Sequence, residues 1–340
     1  MAQTAYAEDR YAAIVMDART SEVLLEEGAD EARFPASLTK MMTLYMLFEA
    51  LERDEISLDT RLTASRHAAR MPPSRLGVRR GDTLTVEQAI RSLVVQSAND
   101  VSVMIAERLG GSESRFAAQM TSRAREMGMA DTRFVNANGL PDVRQRSTAR
   151  DMAVLSQSLW RDFPEYYHYF QTAGFSWRNR YGRNHNHLLG NVEGVDGIKT
   201  GYTRASGFNL ASSAERNGRR VIVVVMGGES ASARDSQVAY LIEGAFEEFA
   251  RRELDPGQAG VTYANLPTHR LDVQLAPNAL GGGVTTTATT AGNSPYARYY
   301  APGSAPQGTV VETMSPLRGP LDGPAVGQGD EADLSTEEPE

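Results

Sequence analysis

Only two of the chain's 35 lysine and arginine residues are lysines, and both sit beside hydroxyl-bearing residues. Lys40 closes Ser37-Leu38-Thr39-Lys40, and Lys199 opens Lys199-Thr200-Gly201. Arginine is too basic to accept a proton at neutral pH, whereas a lysine whose pKa is depressed can. Ser37 and Lys40 are three apart, so on a helix they share a face one turn apart, and a hydroxyl beside an amine is a candidate nucleophile–base pair. A helix N-terminus adds backbone N–H donors suited to a developing oxyanion. A free lysine, with a pKa near 10.4, is a poor base at neutral pH. Burial and a second ammonium nearby both disfavour its charged form, and Lys199 is the only other ammonium available. Two positive charges also suit a substrate that ends in a carboxylate. Ser-x-x-Lys alone is a short motif that recurs by chance, as an N-cap serine with a surface lysine. Restriction of lysine to these two places argues for chemistry.

These residues need elements to bring them together. Residues 11–17 and 23–26 read as two strands of a hairpin. Pro35 precedes Ser37 and a long apolar run follows, which predicts a buried helix from Ser37 to about Arg53. Residues 54–84 read as irregular. Thr85 with Gln88 three residues on predicts a capped helix over 85–95. Ser97-Ala98-Asn99 breaks it and starts another helix, which Gly110-Gly111 closes. Further helices are predicted over 112–127 and 148–160, with a loop over 129–147 and mixed strand and loop over 174–190. Residues 195–201, 208–213 and 220–226 read as strands. The β-branched run Val221–Val225 fits a central strand buried on both faces. An amphipathic helix covers 232–251. The simplest assembly is an α+β fold, with the hairpin and late strands in one antiparallel sheet, the helical block on one face and the last helix on the other. That arrangement brings Ser37, Ser97 and Lys199 near one another.

Composition bounds the rest. The chain has 340 residues with 41% hydrophobic and 23% charged, enough for a substantial core. With no cysteine, disulfides, thiol nucleophiles and thiolate metal sites are excluded. The net charge of −8 is carried largely by seven acidic residues over 320–340, which leaves the body near neutral and gives no nucleic-acid footprint. No window is apolar enough for a transmembrane helix, and the first residues lack the pattern of a signal peptide. The expected organisation is an N-terminal extension over 1–10, a catalytic domain over 11–254, and a low-complexity acidic tail over 255–340, with short strands possible in 261–275.

Taken in order, Ser37-x-x-Lys40, Ser97-x-Asn99 and Lys199-Thr200-Gly201 form the triple pattern of penicillin-binding proteins and class A β-lactamases. Further matches are Pro35-Ala36, Asn99-Asp100, Thr132–Asn136 with Gly139-Leu140, Ser147–Ala153 and Val195–Thr203. With these, residues 8–252 resemble the low-molecular-mass D-alanyl-D-alanine carboxypeptidases, serine peptidases of family S11 of the penicillin-binding protein 5 type. The resemblance implies a β-lactamase/transpeptidase-like fold and removal of the terminal D-alanine from peptidoglycan stem peptides. Ser37 would be acylated, Lys40 would be its base and Ser97 would relay a proton. Asn99 would hold the substrate amide, Lys199 and Thr200 would hold the terminal carboxylate, and Gly201 would be among the substrate-binding residues. The N–H groups of Ser37 and Tyr202 would form the oxyanion hole, and Arg234 would stand near the carboxylate end. The implied partners are stem peptides ending in D-Ala-D-Ala and β-lactams, with no cofactor or metal. The implied location is periplasmic or otherwise extracytoplasmic, with no nucleic acid and no membrane anchor in this chain.

The sequence departs from the family at its tail and at His185, where relatives often carry a basic residue or threonine. Asn184-His185-Asn186-His187 offers two histidines on one strand face and no third metal ligand, so hydrogen bonding near the cleft is the preferred reading. His67, His168 and His269 are isolated, with no Gly-x-Ser-x-Gly, which argues against a Ser–His–Asp hydrolase. A class A β-lactamase would need its deacylating glutamate, and the chain has no Glu-x-x-x-Asn. The other alternative is a non-catalytic wall-binding protein on the same fold, against which the retained lysines argue.

Overall fold

The computed structural model describes residues 10–254, so the N-terminal extension, the acidic tail and the strands expected in 261–275 lie outside the described residues. The strands are β1 (Ala12–Asp17), β2 (Val23–Glu27), β3 (Arg61–Thr63), β4 (Thr83–Thr85), β5 (Gly174–Trp177), β6 (Arg180–Arg183), β7 (Val195–Thr203), β8 (Gly207–Arg216) and β9 (Arg219–Gly228). The helices are α1 (Thr39–Glu52), α2 (Val86–Gln96), α3 (Asn99–Gly110), α4 (Glu113–Glu126), α5 (Ala149–Asp162), α6 (Pro164–Tyr167) and α7 (Ala231–Leu254).

Five strands form one antiparallel sheet in the order β2-β1-β9-β8-β7. β9 lies at its centre because Val221–Val225 can be buried on both sides. Ile222, Val224 and Met226 face the helical block, while Val221, Val223 and Val225 face α7. This is the period-two alternation of a strand, here apolar on both faces. Burying each such side chain is worth about 1.5–3 kcal/mol before entropy is counted. The face under α7 is closed by Val238, Leu241, Ile242 and Phe249.

α1 is apolar nearly all round, and runs through the middle of the helical block with Met41, Met42, Leu44, Leu47 and Phe48 fully buried. α2 starts with the expected capping box: Gln88 N–H donates to Thr85 Oγ1 at 3.2 Å and Thr85 N–H donates to Gln88 Oε1 at 2.9 Å, worth about 1 kcal/mol.

Several local expectations need correction. Ser37 does not begin an α-helix; it lies in a 3-10 turn, Ala36–Leu38, and α1 begins at Thr39. Residues 54–84 are not wholly irregular, since β3 pairs with β4 across them. The mixed segment contains a paired β5–β6 hairpin, and residues 163–171 add α6 and a further 3-10 turn. β8 runs to Arg216, past the apolar stretch that marked it in the sequence, because its ladder with β9 continues through Glu215 and Arg216.

Candidate active site

The nucleophile candidate is set by a tight junction between the 3-10 turn and β7, the edge strand of the sheet. A Cβ on Gly201 would sit 3.0 Å from Pro35 O and 3.1 Å from Ser37 N. Glycine is needed there because two backbones meet. The other side of the turn is closed by Gly139, at φ +87°, where a Cβ would sit 1.8 Å from Ala36 O. Ala36 itself is held at φ 48°, in the left-handed region that non-glycine residues avoid. From Pro35 to Tyr45 only Ser37 keeps partial solvent access. Among the described residues the one side-chain hydrogen bond of its hydroxyl is with Lys40 Nζ.

Lys40 is completely buried, and its Nζ has three neighbours: Ser37 Oγ at 3.0 Å, Asn99 Oδ1 at 2.8 Å and Asn138 O at 2.5 Å. Asn99 Nδ2 donates to Pro72 O at 3.1 Å. A carbonyl can only accept, so this bond fixes the amide with its oxygen towards Lys40. Asn99 Oδ1 and Asn138 O therefore take two N–H bonds. A neutral amine then has its lone pair left for the third direction, which points at the Ser37 hydroxyl. Burial first, and then the charge of Lys199, hold the Lys40 pKa well below its ordinary value, while Asp100 opposes this. Neither lysine is paired with a carboxylate among the described residues.

Ser97 ends α2 at φ 56°, ψ 42°, again left-handed for a residue with a Cβ. Such positions cost about 1–3 kcal/mol and cluster at functional sites. Its Oγ is buried and finds no partner. Asn99 opens α3. Next to it, the Asp100 carboxylate accepts from Leu76, Gly77 and Val78 N–H at 2.9, 2.7 and 3.1 Å, tying loop 72–78 to the start of the helix.

Lys199 is buried on β7, and its Nζ donates to Thr200 O at 2.9 Å. Burial, followed by the nearby charge of Arg234, lowers its pKa to about 7. Arg234, at the start of α7, is itself buried; it donates to Asn209 O at 3.0 Å and pairs with Asp235 at 2.7 Å. Tyr202 is half exposed, its ring against Phe208 at a centroid distance of 4.3 Å. His185 is exposed at the rim. Partial burial of its ring, followed by the charges of Lys199, His187 and Arg234, pushes its pKa down to about 4. His187 Nδ1 lies 3.1 Å from Asp235 Oδ2. Among the described residues no group of three side chains is set to hold a metal.

The sequence reading missed one participant, the backbone carbonyl of Asn138. It left no side-chain signature, and only the Asn136–Leu140 stretch pointed to its neighbourhood.

An activated serine beside a depressed lysine, with a second buried ammonium on the sheet edge, can carry out acyl transfer on a substrate ending in a carboxylate. Residues 2–230 match the family described as D-alanyl-D-alanine carboxypeptidase, peptidase S11. The chain belongs to that family. Among similar S11 proteins is the D-alanyl-D-alanine carboxypeptidase DacD of Salmonella typhimurium, 36% identical over 71% of this chain and 64% of the relative. The crystal structure of DacD from Francisella tularensis superposes with a TM-score of 0.68 at 31% identity, covering 69% of this chain and 70% of that one. Penicillin-binding protein D2 of Listeria monocytogenes, solved in its ampicillin-bound form, gives 0.64 at 31% identity over 69% of this chain and 96% of that one. The chain spans 63–65% of the length of the first curated S11 relatives it matches.

Proposed function

We propose that the protein is a serine-type D-Ala-D-Ala carboxypeptidase that works through an acyl-enzyme on Ser37. Ser37 Oγ attacks the carbonyl carbon of the penultimate D-alanine as its proton passes to the Lys40 amine. The unpartnered Ser97 hydroxyl carries a proton on to the nitrogen of the leaving D-alanine, and the C–N bond breaks. Water, deprotonated by the same amine, then hydrolyses the Ser37 ester. The N–H groups of Ser37 and Tyr202 face the developing oxyanion, and the second N–H of Asn99 Nδ2 binds a substrate carbonyl. Lys199, Thr200 and Gly201 receive the terminal carboxylate, with Arg234 adding positive field behind Lys199.

The observation that carries this reading is the Lys40 amine, 3.0 Å from Ser37 Oγ, with its other two directions taken by acceptors. Support for the substrate comes from the family and from Lys199, a buried amine that has no carboxylate partner among the described residues. β-Lactams, which mimic the D-Ala-D-Ala end, acylate the same serine. Peptidoglycan lies outside the cytoplasm, so the enzyme acts there. Incubation with a synthetic peptide ending in D-Ala-D-Ala tests the reading: release of one D-alanine per peptide supports it, and no release by folded protein contradicts it.

A further inference from the structure

The Lys40 amine depends on a carbonyl that belongs to a loop, and the loop is clamped from outside the cleft. Ala137 O accepts from Thr43 Oγ1 at 2.7 Å, on α1. The other clamp is Glu113, the first residue of α4. Its Oε1 accepts from Ala137 N–H at 3.1 Å and from Asn138 Nδ2 at 3.1 Å. Its Oε2 lies 2.7 Å from His67 Nε2. An acidic residue in a first helical turn ordinarily serves the helix dipole. Here Ser112 Oγ already caps α4, accepting from Arg115 N–H at 3.3 Å, and both acceptor contacts of Glu113 Oε1 go to the loop. The Glu113 side chain is largely buried and that of His67 is half exposed, so the clamp joins an open pocket of about 480 Å³ to the catalytic base.

We infer that Glu113 is a positioning residue for acylation, which acts by holding the 137–138 peptide so that the Asn138 carbonyl takes one N–H of Lys40 and leaves the amine lone pair on Ser37. The inference rests on the carboxypeptidase reading. Without the clamp the carbonyl swings away, and the amine rotates to satisfy its N–H bonds elsewhere, including on Ser37 Oγ itself. Neither Glu113 nor the Asn138 side chain is among the residues proposed to hold substrate, so the loss is expected in the chemical step.

Acylation by benzylpenicillin, followed to saturation, separates the acylation rate constant from the non-covalent dissociation constant. Glu113→Ala is expected to slow acylation about 10–100-fold, the usual effect of misplacing a reacting group by about an ångström, with the dissociation constant unchanged. Glu113→Gln keeps an acceptor for both loop donors and is expected to acylate at close to the wild-type rate. Asn138→Ala retains the carbonyl and the Ala137 N–H contact but loses the Nδ2 contact to Glu113, so it is expected to slow acylation in the same direction as Glu113→Ala and by no more, and the double variant to be no slower than the slower single one. A wild-type acylation rate in Glu113→Ala overturns the inference, as does an equal loss in Glu113→Gln. If Glu113→Ala does not fold, Asn138→Ala decides: an unchanged rate overturns it. No adduct on the wild type at all would instead overturn the carboxypeptidase reading.

Discussion

Two clusters of buried charge stand three residues apart on β7 and are built differently. At Asp196 the charge is matched: Arg220 lies 2.7 Å away, donates to Ser213 Oγ at 2.5 Å, and pairs with Glu215 at 2.5 Å. Trp160 and Tyr167 flank the guanidinium, with centroids at 5.2 and 5.4 Å. At Lys199 the charge is not matched. Among the described residues its one hydrogen bond goes to a backbone carbonyl, and the charge that acts on it is another cation, Arg234. The first cluster buries its carboxylate against an opposite charge, although Asp196 Oδ1 and Arg220 Nε find no hydrogen-bond partner among the described residues. The second is unfavourable for folding and suits chemistry, because the buried cations lower the pKa of both lysines and, on the proposed carboxypeptidase reading, leave a place for a substrate carboxylate.

The largest effect expected from this contrast is at Lys40. Lys40→Met keeps the bulk and removes the base, so acylation by benzylpenicillin should fall about 10²–10⁴-fold, the usual contribution of a general base, while the protein still unfolds cooperatively. Wild-type acylation in this variant would dissociate the lysine from catalysis. The matched cluster should respond in the opposite way. Arg220→Met leaves Asp196 buried without its partner and should cost about 3–5 kcal/mol in urea unfolding, with the acylation rate per folded molecule unchanged. A selective loss of acylation would make this cluster part of the site.

The pH profile sharpens the comparison. Acylation should fall in acid, as Lys40 takes up a proton below its lowered pKa. The basic limb of kcat/KM should lie near pH 7, where free Lys199 loses its charge, and should move upward in kcat because a bound carboxylate favours the ammonium. A basic limb at the same pH in both would argue against Lys199 as the carboxylate's partner.

The smallest expected effect is on stability. The folded pKa of Lys199 lies below its unfolded value, so the unfolded chain binds more protons between about pH 7 and 10.5, and stability rises with pH across that window. Lys199→Met should therefore stabilise the fold by about 0.5–2 kcal/mol, most below pH 7 and least near pH 10, while substrate binding weakens. Destabilisation at pH 6 would contradict the description of Lys199 as an unmatched charge.

Much of this contrast was legible in the sequence. Val221–Val225 announced a strand buried on both faces, Thr85 with Gln88 announced a capped helix, and the scarcity of lysine pointed to both amines. What stayed hidden is what a backbone does in three dimensions. The Asn138 carbonyl has no side-chain code, and the left-handed Ser97 carries no glycine to mark it. Gly201 is glycine because the backbone of Pro35–Leu38, far upstream in the chain, crosses it. The family resemblance assigned Asn99 to the substrate amide, and in the fold its amide oxygen accepts from Lys40 while one N–H donates to Pro72 O. The β5–β6 hairpin was legible only as mixed strand and loop because its residues are mostly polar or exposed, with no alternating apolar face.

Intact-mass spectrometry after incubation with benzylpenicillin, on the wild type and on Ser37→Ala, tests the central claim most directly. One covalent penicilloyl group on the wild type and none on Ser37→Ala is the expected result. An adduct that persists in Ser37→Ala, or a folded wild type that forms no acyl-enzyme and destroys no penicillin, would contradict the account.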